Sequence, residues 1–210
     1  MKKALLFFIL LSALKIYSQQ TAKDSIIYLD EVVVTKKVTK AKIKKLKTKG
    51  SNVSGLGMQK LPAEVSLIKD IPEGYLNYVV FDFNSGIVNI FRKGSDVVYK
   101  DTELSLVIYA VAQDGSPGEK LNESEVRFVV KEDHRGTLKL NLTPLNLQSR
   151  PQLFIGIESL SSEQGNSMVL KLQESKEAVS YTKSKDGKWY RWEFYDFSIQ
   201  IKMEVGVEVE

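Results

Sequence analysis

The 210-residue chain contains no cysteine and a single histidine, His134. The first absence excludes disulfides, thiolate nucleophiles, cysteine-ligated zinc and lipid anchoring through a cysteine at a cleavage point. The second leaves a Ser-His-Asp triad only His134 to use. That residue lies in the turn EDHRG, flanked by Asp133 and Arg135, and reads as a solvated loop side chain. No GxSxG, Walker A or dinucleotide-binding glycine pattern sits between a strand and a helix. No catalytic residue, metal site or cofactor is therefore assigned, and the expectation is a protein that is not an enzyme. Long hydrophobic runs are also missing. The longest, Ala4–Leu14, has 11 residues and is apolar apart from Ser12, whereas a spanning helix needs about 20.

That short run has basic flanks in Lys2, Lys3 and Lys15, and Ser18 is small. A charged start, a brief apolar stretch and a small residue are the parts of a secretory leader. Residues 1–18 are read as a signal peptide, so the protein is expected to be exported: periplasmic, associated with the outer membrane, or extracellular. No transmembrane segment is expected in the mature chain.

Charge is unevenly distributed. The whole chain is +4, yet residues 36–49 hold eight lysines and no acid, while residues 50–210 hold 18 basic and 23 acidic residues. The sequence pI of about 9.0 thus describes the leader and one short segment. It does not mark a nucleic-acid-binding domain. The lysine run also lacks interleaved aromatics, which a single-strand-binding surface would supply, so no nucleic acid is expected as a partner. Val38, Ile43 and Leu46 give it a poor apolar face, and residues 19–60 read as an extended lysine-rich arm.

From residue 61 to 210 the pattern is one of β-strands. Leu104, Leu106 and Ile108 share one face of ELSLVIYAVA; Val126, Phe128 and Val130 alternate, as do Leu138, Leu140 and Leu142, and Leu153, Ile155 and Ile157. Turn signals separate them at Asp114-Gly115, Pro117-Gly118 and Asp186-Gly187. From Tyr195 to Val209 every odd position is apolar, which predicts a long strand with one face on a core. Trp192 and Phe194 fall out of that phase and predict a bulge near Phe194–Tyr195. Many short strands joined by turns predict an all-β antiparallel jelly-roll-like β-sandwich with an N-terminal extended arm.

Trp189, Tyr190 and Trp192 cluster after the Asp186-Gly187 turn. Flat aromatic faces stack on the C–H faces of sugar rings, so these three are candidate ligand-binding residues. Alternation sends Trp189 to one face of its strand and Tyr190 with Trp192 to the other. Glu158 is a fourth candidate because it ends the apolar run FIGIES. Asp96 and Asp101, near the ends of β segments, are acids of the kind that bind a structural calcium, but read as solvated loop acids.

Two resemblances add to this reading. Residues 29–35, LDEVVVT, resemble the segment preceding the plug in TonB-dependent outer-membrane transporters of the Bacteroidetes type. YKDTELSLVIYAVAQDGSPGEKL, VRFVV, LKLNLTPLNL, LFIGIESL and DGKWY resemble secreted Bacteroidetes jelly-roll proteins of unassigned function, some of which accompany carboxypeptidase-regulatory-like segments. The resemblance implies a jelly roll in the cell envelope. The expected function is that of a non-enzymatic envelope or secreted interaction module whose partner is an envelope protein or a polysaccharide. Two alternatives are a carbohydrate-binding module built on the aromatics near Asp186-Gly187 and an accessory protein docking on a TonB-dependent or other envelope complex. Strand addition through IIYLDEVVVT is the route to such docking.

Overall fold

The computed structural model describes residues 27–28, 42–57, 63–84, 101–132, 134, 136–160, 169–193 and 196–207. The leader, LDEVVVT, Asp96 and the bulge predicted at Phe194–Tyr195 lie outside them. The strands are β1 (Ile27–Tyr28), β2 (Lys42–Lys47), β3 (Ser51–Gly57), β4 (Ala63–Ile68), β5 (Tyr75–Asn84), β6 (Thr102–Val111), β7 (Pro117–Lys120), β8 (Val126–Val130), β9 (Gly136–Asn141), β10 (Leu153–Ser159), β11 (Val169–Glu174), β12 (Ser180–Lys183), β13 (Trp189–Arg191), β14 (Phe197–Ile199) and β15 (Ile201–Val207). Apart from one 3-10 turn at Thr143–Leu145, no helix occurs among the described residues, and none is long and apolar enough to cross a membrane.

The strands form two sheets. The first runs β1-β8-β6-β10-β4-β12-β13, with β7 added to β6; the second runs β14-β11-β5-β15-β2, with β3 on β11 and β9 on β5. All pairings are antiparallel except β1 with β8. The chain is the all-β sandwich that the alternation predicts. Leu104, Leu106 and Ile108 of β6 and Leu153, Ile155 and Ile157 of β10 face Val79, Phe81 and Phe83 of β5 and Ile201, Met203 and Val205 of β15 in one continuous core. Each such side chain, fully buried, contributes about 1.5–3 kcal/mol.

The first sheet has a second buried face. Ala63, Val65, Val107, Tyr109 and Phe154 form a separate cluster on it. The sheet reaches this state by curling. Tyr109 in β6 and Trp189 in β13 are separated by β10, β4 and β12, which in a flat sheet would place them about 19 Å apart. Their ring centroids are 5.1 Å apart, edge to face. Gly156 in β10 permits the curl, because a Cβ there would land on the Glu64 backbone carbonyl of the neighbouring strand. The Asp186-Gly187 turn closes the β12–β13 hairpin as predicted, with Gly187 at φ +85°, a backbone region glycine enters freely.

The lysine-rich arm expected from the sequence takes a specific place in the fold. Residues 42–57 supply β2 and β3 to the second sheet. β2 pairs with β15 over Lys202↔Lys47 to Val207↔Lys42. A sheet edge needs no second apolar face, and lysines on it oppose edge-to-edge aggregation; Ile43 is accordingly 52% exposed. The C-terminal alternation holds in β14 and β15, where Ile199, Ile201, Met203 and Val205 are buried. At Gln200 the chain changes partner, from β11 beside β14 to β5 beside β15.

Candidate functional site

Hydroxyls fix the Gln200 crossover. The Thr48 hydroxyl accepts from the Ile201 amide at 2.9 Å and lies 3.1 Å from the Ile199 carbonyl, to which it donates. The Ser66 hydroxyl accepts from the Ile199 amide at 2.8 Å and meets the Ser180 hydroxyl at 2.8 Å. Each of these groups is buried, so each bond satisfies a backbone or side-chain group that would otherwise be costly to bury.

Around this crossover lies a cleft of about 450 Å³, within the usual range for small-ligand sites. It is lined by Lys47, Thr48, Lys49, Gly50, Asn52, Gln173, Gln200 and Lys202. Three of the lining residues are lysines and none is an acid. Lys47 and Lys202 are directly opposite each other across β2 and β15, an arrangement that destabilises a sheet when the charges are alike. On this sheet Lys45 and Lys139 pair with Glu204, at 3.8 and 3.3 Å, and Lys171 with Asp82 at 2.9 Å, while Lys42 and Lys44 of β2 have no ion pair among the described residues. Lys47, Lys49 and Lys202 have no ion-pair partner among the described residues. Neutral polar residues complete the lining. Gln173 is 3% exposed, and the Gln200 carboxamide donates to the Asn52 oxygen at 3.4 Å.

The residues singled out from the sequence are dispersed. Trp189 lies in the curl of the first sheet, its ring against Tyr109 and the Lys183 ammonium 5.6 Å from its centroid. Tyr190 is 56% exposed and is opposite Thr182. Trp192 packs against the main core and donates its indole N–H to the Thr182 hydroxyl at 2.7 Å. Glu158, half-buried at the end of β10, adds its charge to the burial that raises the Tyr109 phenol. Asp101 accepts from Lys131 at 2.7 Å and from the Glu132 amide at 3.0 Å, and the Lys131 bond does most to lower its pKa. The His134 ring stands edge-on to Phe83 at 6.2 Å. No group of three or more potential metal ligands occurs among the described residues.

One ionisable group inside the sandwich has no mark in the sequence. Glu64 of β4 is 5% exposed, beside Ile157 of β10 and Thr182 of β12. Burial pushes its carboxyl up from 4.5 to about 8, against the lowering effect of a hydrogen bond with Thr182. Of the cleft residues, Lys47 and Lys49 belong to the conspicuous lysine run. Lys202, Gln173 and Gln200 carry no local sequence signal, since only the strand register brings them together.

No protein-family profile matches the chain, and no curated protein matches it by sequence. Among solved structures, it is similar to a chain described as the clostridial cysteine protease Cwp84 after propeptide cleavage, with a TM-score of 0.54 and 13% identity over 79% of this chain and 40% of that one. A second similar chain holds the cysteine protease and lectin-like domains of Cwp84, a surface layer associated protein of Clostridium difficile; the TM-score is 0.47 and the identity 13%, over 70% of this chain and 32% of that one. This chain spans well under half the length of either. The likeness is one of fold.

These findings overturn the function expected from the sequence. The expectation of a non-enzymatic interaction module rests on a complete sandwich without a catalytic constellation. The same fold occurs in a chain described as a protease, so a sandwich of this shape does not select a non-enzymatic role. Docking on a TonB-dependent complex loses its basis with it. The carbohydrate-binding alternative falls with it; of its aromatics, Trp189 meets Tyr109 and Lys183, Trp192 packs on the core, and Tyr190 is 56% exposed.

Proposed function

We propose that this chain binds an anionic ligand in the cleft formed by Lys47, Lys49 and Lys202. The observation that carries the reading is the direct cross-strand opposition of Lys47 and Lys202 with no acid lining the cleft. Like charges so placed cost a sheet on the order of several tenths of a kcal/mol. The cost is offset when an anion occupies the space between them. Supporting the reading, the Thr48 and Ser66 hydroxyls hold the crossover in one geometry, so the cleft is built before a ligand arrives. Export belongs to the same proposal and rests on the leader features of residues 1–18.

Isothermal titration of the purified chain with inorganic phosphate, sulfate and organic anions tests this. Binding is expected, it should weaken steeply with added salt, and it should be lost in a Lys47→Gln/Lys202→Gln double variant whose circular dichroism is unchanged. If no anion in the panel binds, or the double variant binds as well as the parent, the reading is wrong.

A further inference from the structure

Resting on that reading, we infer that the cleft selects a phosphate monoester group over a monoanionic carboxylate. Three exposed lysines line one cleft, with no acid among the lining residues. A carboxylate brings one negative charge and leaves most of that field uncompensated. A phosphate monoester brings a charge of about −1.5 to −2 at pH 7 and three acceptor oxygens.

Donor geometry selects in the same direction. No arginine lines the cleft, and the planar guanidinium fork is the group matched to a planar carboxylate. Lysine is a compact charge with three rotatable donors, suited to oxygens arranged tetrahedrally. Of the lining carboxamides, Gln173 donates to the Ser198 hydroxyl at 3.5 Å and Gln200 to the Asn52 oxygen at 3.4 Å. Among nearby acids, Asp82 is held by Lys171, Glu204 by Lys45 and Lys139, and Glu174 at the end of β11 lies outside the lining, while Asp70 and Glu177 line an adjoining hollow that shares Lys47, Thr48 and Lys49. The volume of about 450 Å³ also exceeds what a bare phosphate fills, leaving room for the organic part of an ester.

The same chemistry is presented by a soluble phosphate ester and by a lipid headgroup, and the test separates them. Calorimetry on the full chain at constant ionic strength would compare phenyl phosphate with benzoate, and flotation would compare vesicles with and without phosphatidic acid. Phenyl phosphate is expected to bind at least about tenfold tighter than benzoate at pH 7.5. The preference should shrink at pH 5, where the phosphate loses its second charge while the lysines keep theirs. Lys202→Gln should shrink it too. Capture by phosphatidic acid vesicles alone would still support the phosphate assignment and place the source in lipid. Benzoate binding as tightly as phenyl phosphate would overturn this inference and leave the anion reading standing. Binding of neither, with no vesicle capture, would overturn both.

Discussion

Replacing Glu64 by glutamine isolates the cost of one buried carboxyl. The side chain lies inside the sandwich at 5% exposure, beside Ile157 and Thr182, and its pKa is raised from 4.5 to about 8, chiefly by burial. At neutral pH the folded protein holds this proton and the unfolded chain does not. The folded state therefore binds more protons between those two values, and stability falls as pH rises from about 4.5 to about 8. Below that window the carboxyl is neutral in both states and the loss disappears. Glutamine has the same shape, keeps a partner for Thr182 and does not ionise. Glu64→Gln should therefore be more stable than the parent by about 1 kcal/mol at pH 5 and about 3 kcal/mol at pH 7. Urea unfolding at pH 5, 6, 7 and 8, followed by tryptophan fluorescence, gives the two curves. Parallel curves, with no gap that widens with pH, would refute the assignment of the pH dependence to Glu64.

Gly156→Ala should cost more than about 3 kcal/mol or abolish folding, because its Cβ meets the Glu64 backbone rather than a side chain that can yield; thermal unfolding measures it. Thr48→Val removes the acceptor for the buried Ile201 amide and should cost about 1–3 kcal/mol, with faster hydrogen exchange at Ile201 as the local signature. Lys202→Gln should stabilise the empty protein by a few tenths of a kcal/mol by removing the opposition to Lys47, while weakening anion binding. A Lys202→Gln protein that is less stable without ligand would contradict the repulsion on which the cleft assignment rests.

The sandwich core is legible in the sequence because its signal is local. Leu104, Leu106 and Ile108, or Ile199, Ile201, Met203 and Val205, record in their spacing which side of each strand is inward. The curl of the first sheet is not legible. It depends on Gly156 lying against a strand about 90 positions earlier in the chain, and on Trp189 reaching Tyr109 across three strands. The curl also explains why β4 reads misleadingly. Its alternation puts Ala63, Val65 and Leu67 on the curled face, and so turns Glu64 and Ser66 toward the sandwich interior. A polar-inward strand looks like an ordinary half-buried one from the sequence alone. The lysine-rich segment reads as an arm for a similar reason. Its apolar face is poor, with Leu46 and Val53 reaching the core, but the free edge of β15 supplies backbone partners that do not depend on side-chain hydrophobicity. Lys47 and Lys49 are visible as members of a run, whereas the opposition of Lys202 exists only in the register.

Fold and site separate cleanly in this protein, and the separation bears on what its structural likeness can transfer. Cysteine-protease chemistry needs a thiolate, and this chain has no cysteine. A fold shared at 13% identity then leaves the side chains of this chain as the only guide to its chemistry. Within the second sheet, the core positions of β15 are fixed by packing: Ile201, Met203 and Val205 are buried, and β5 accepts them in register. Lys202 lies between them on the outer face, where packing imposes no residue type. The same freedom applies to exposed Lys47 and Lys49. At such positions an opposite or neutral charge would serve the fold better, as Glu204 does between Lys45 and Lys139. Lysine at position 47 protects the edge strand, but packing does not require it to face Lys202, and the anion proposed above would offset that opposition.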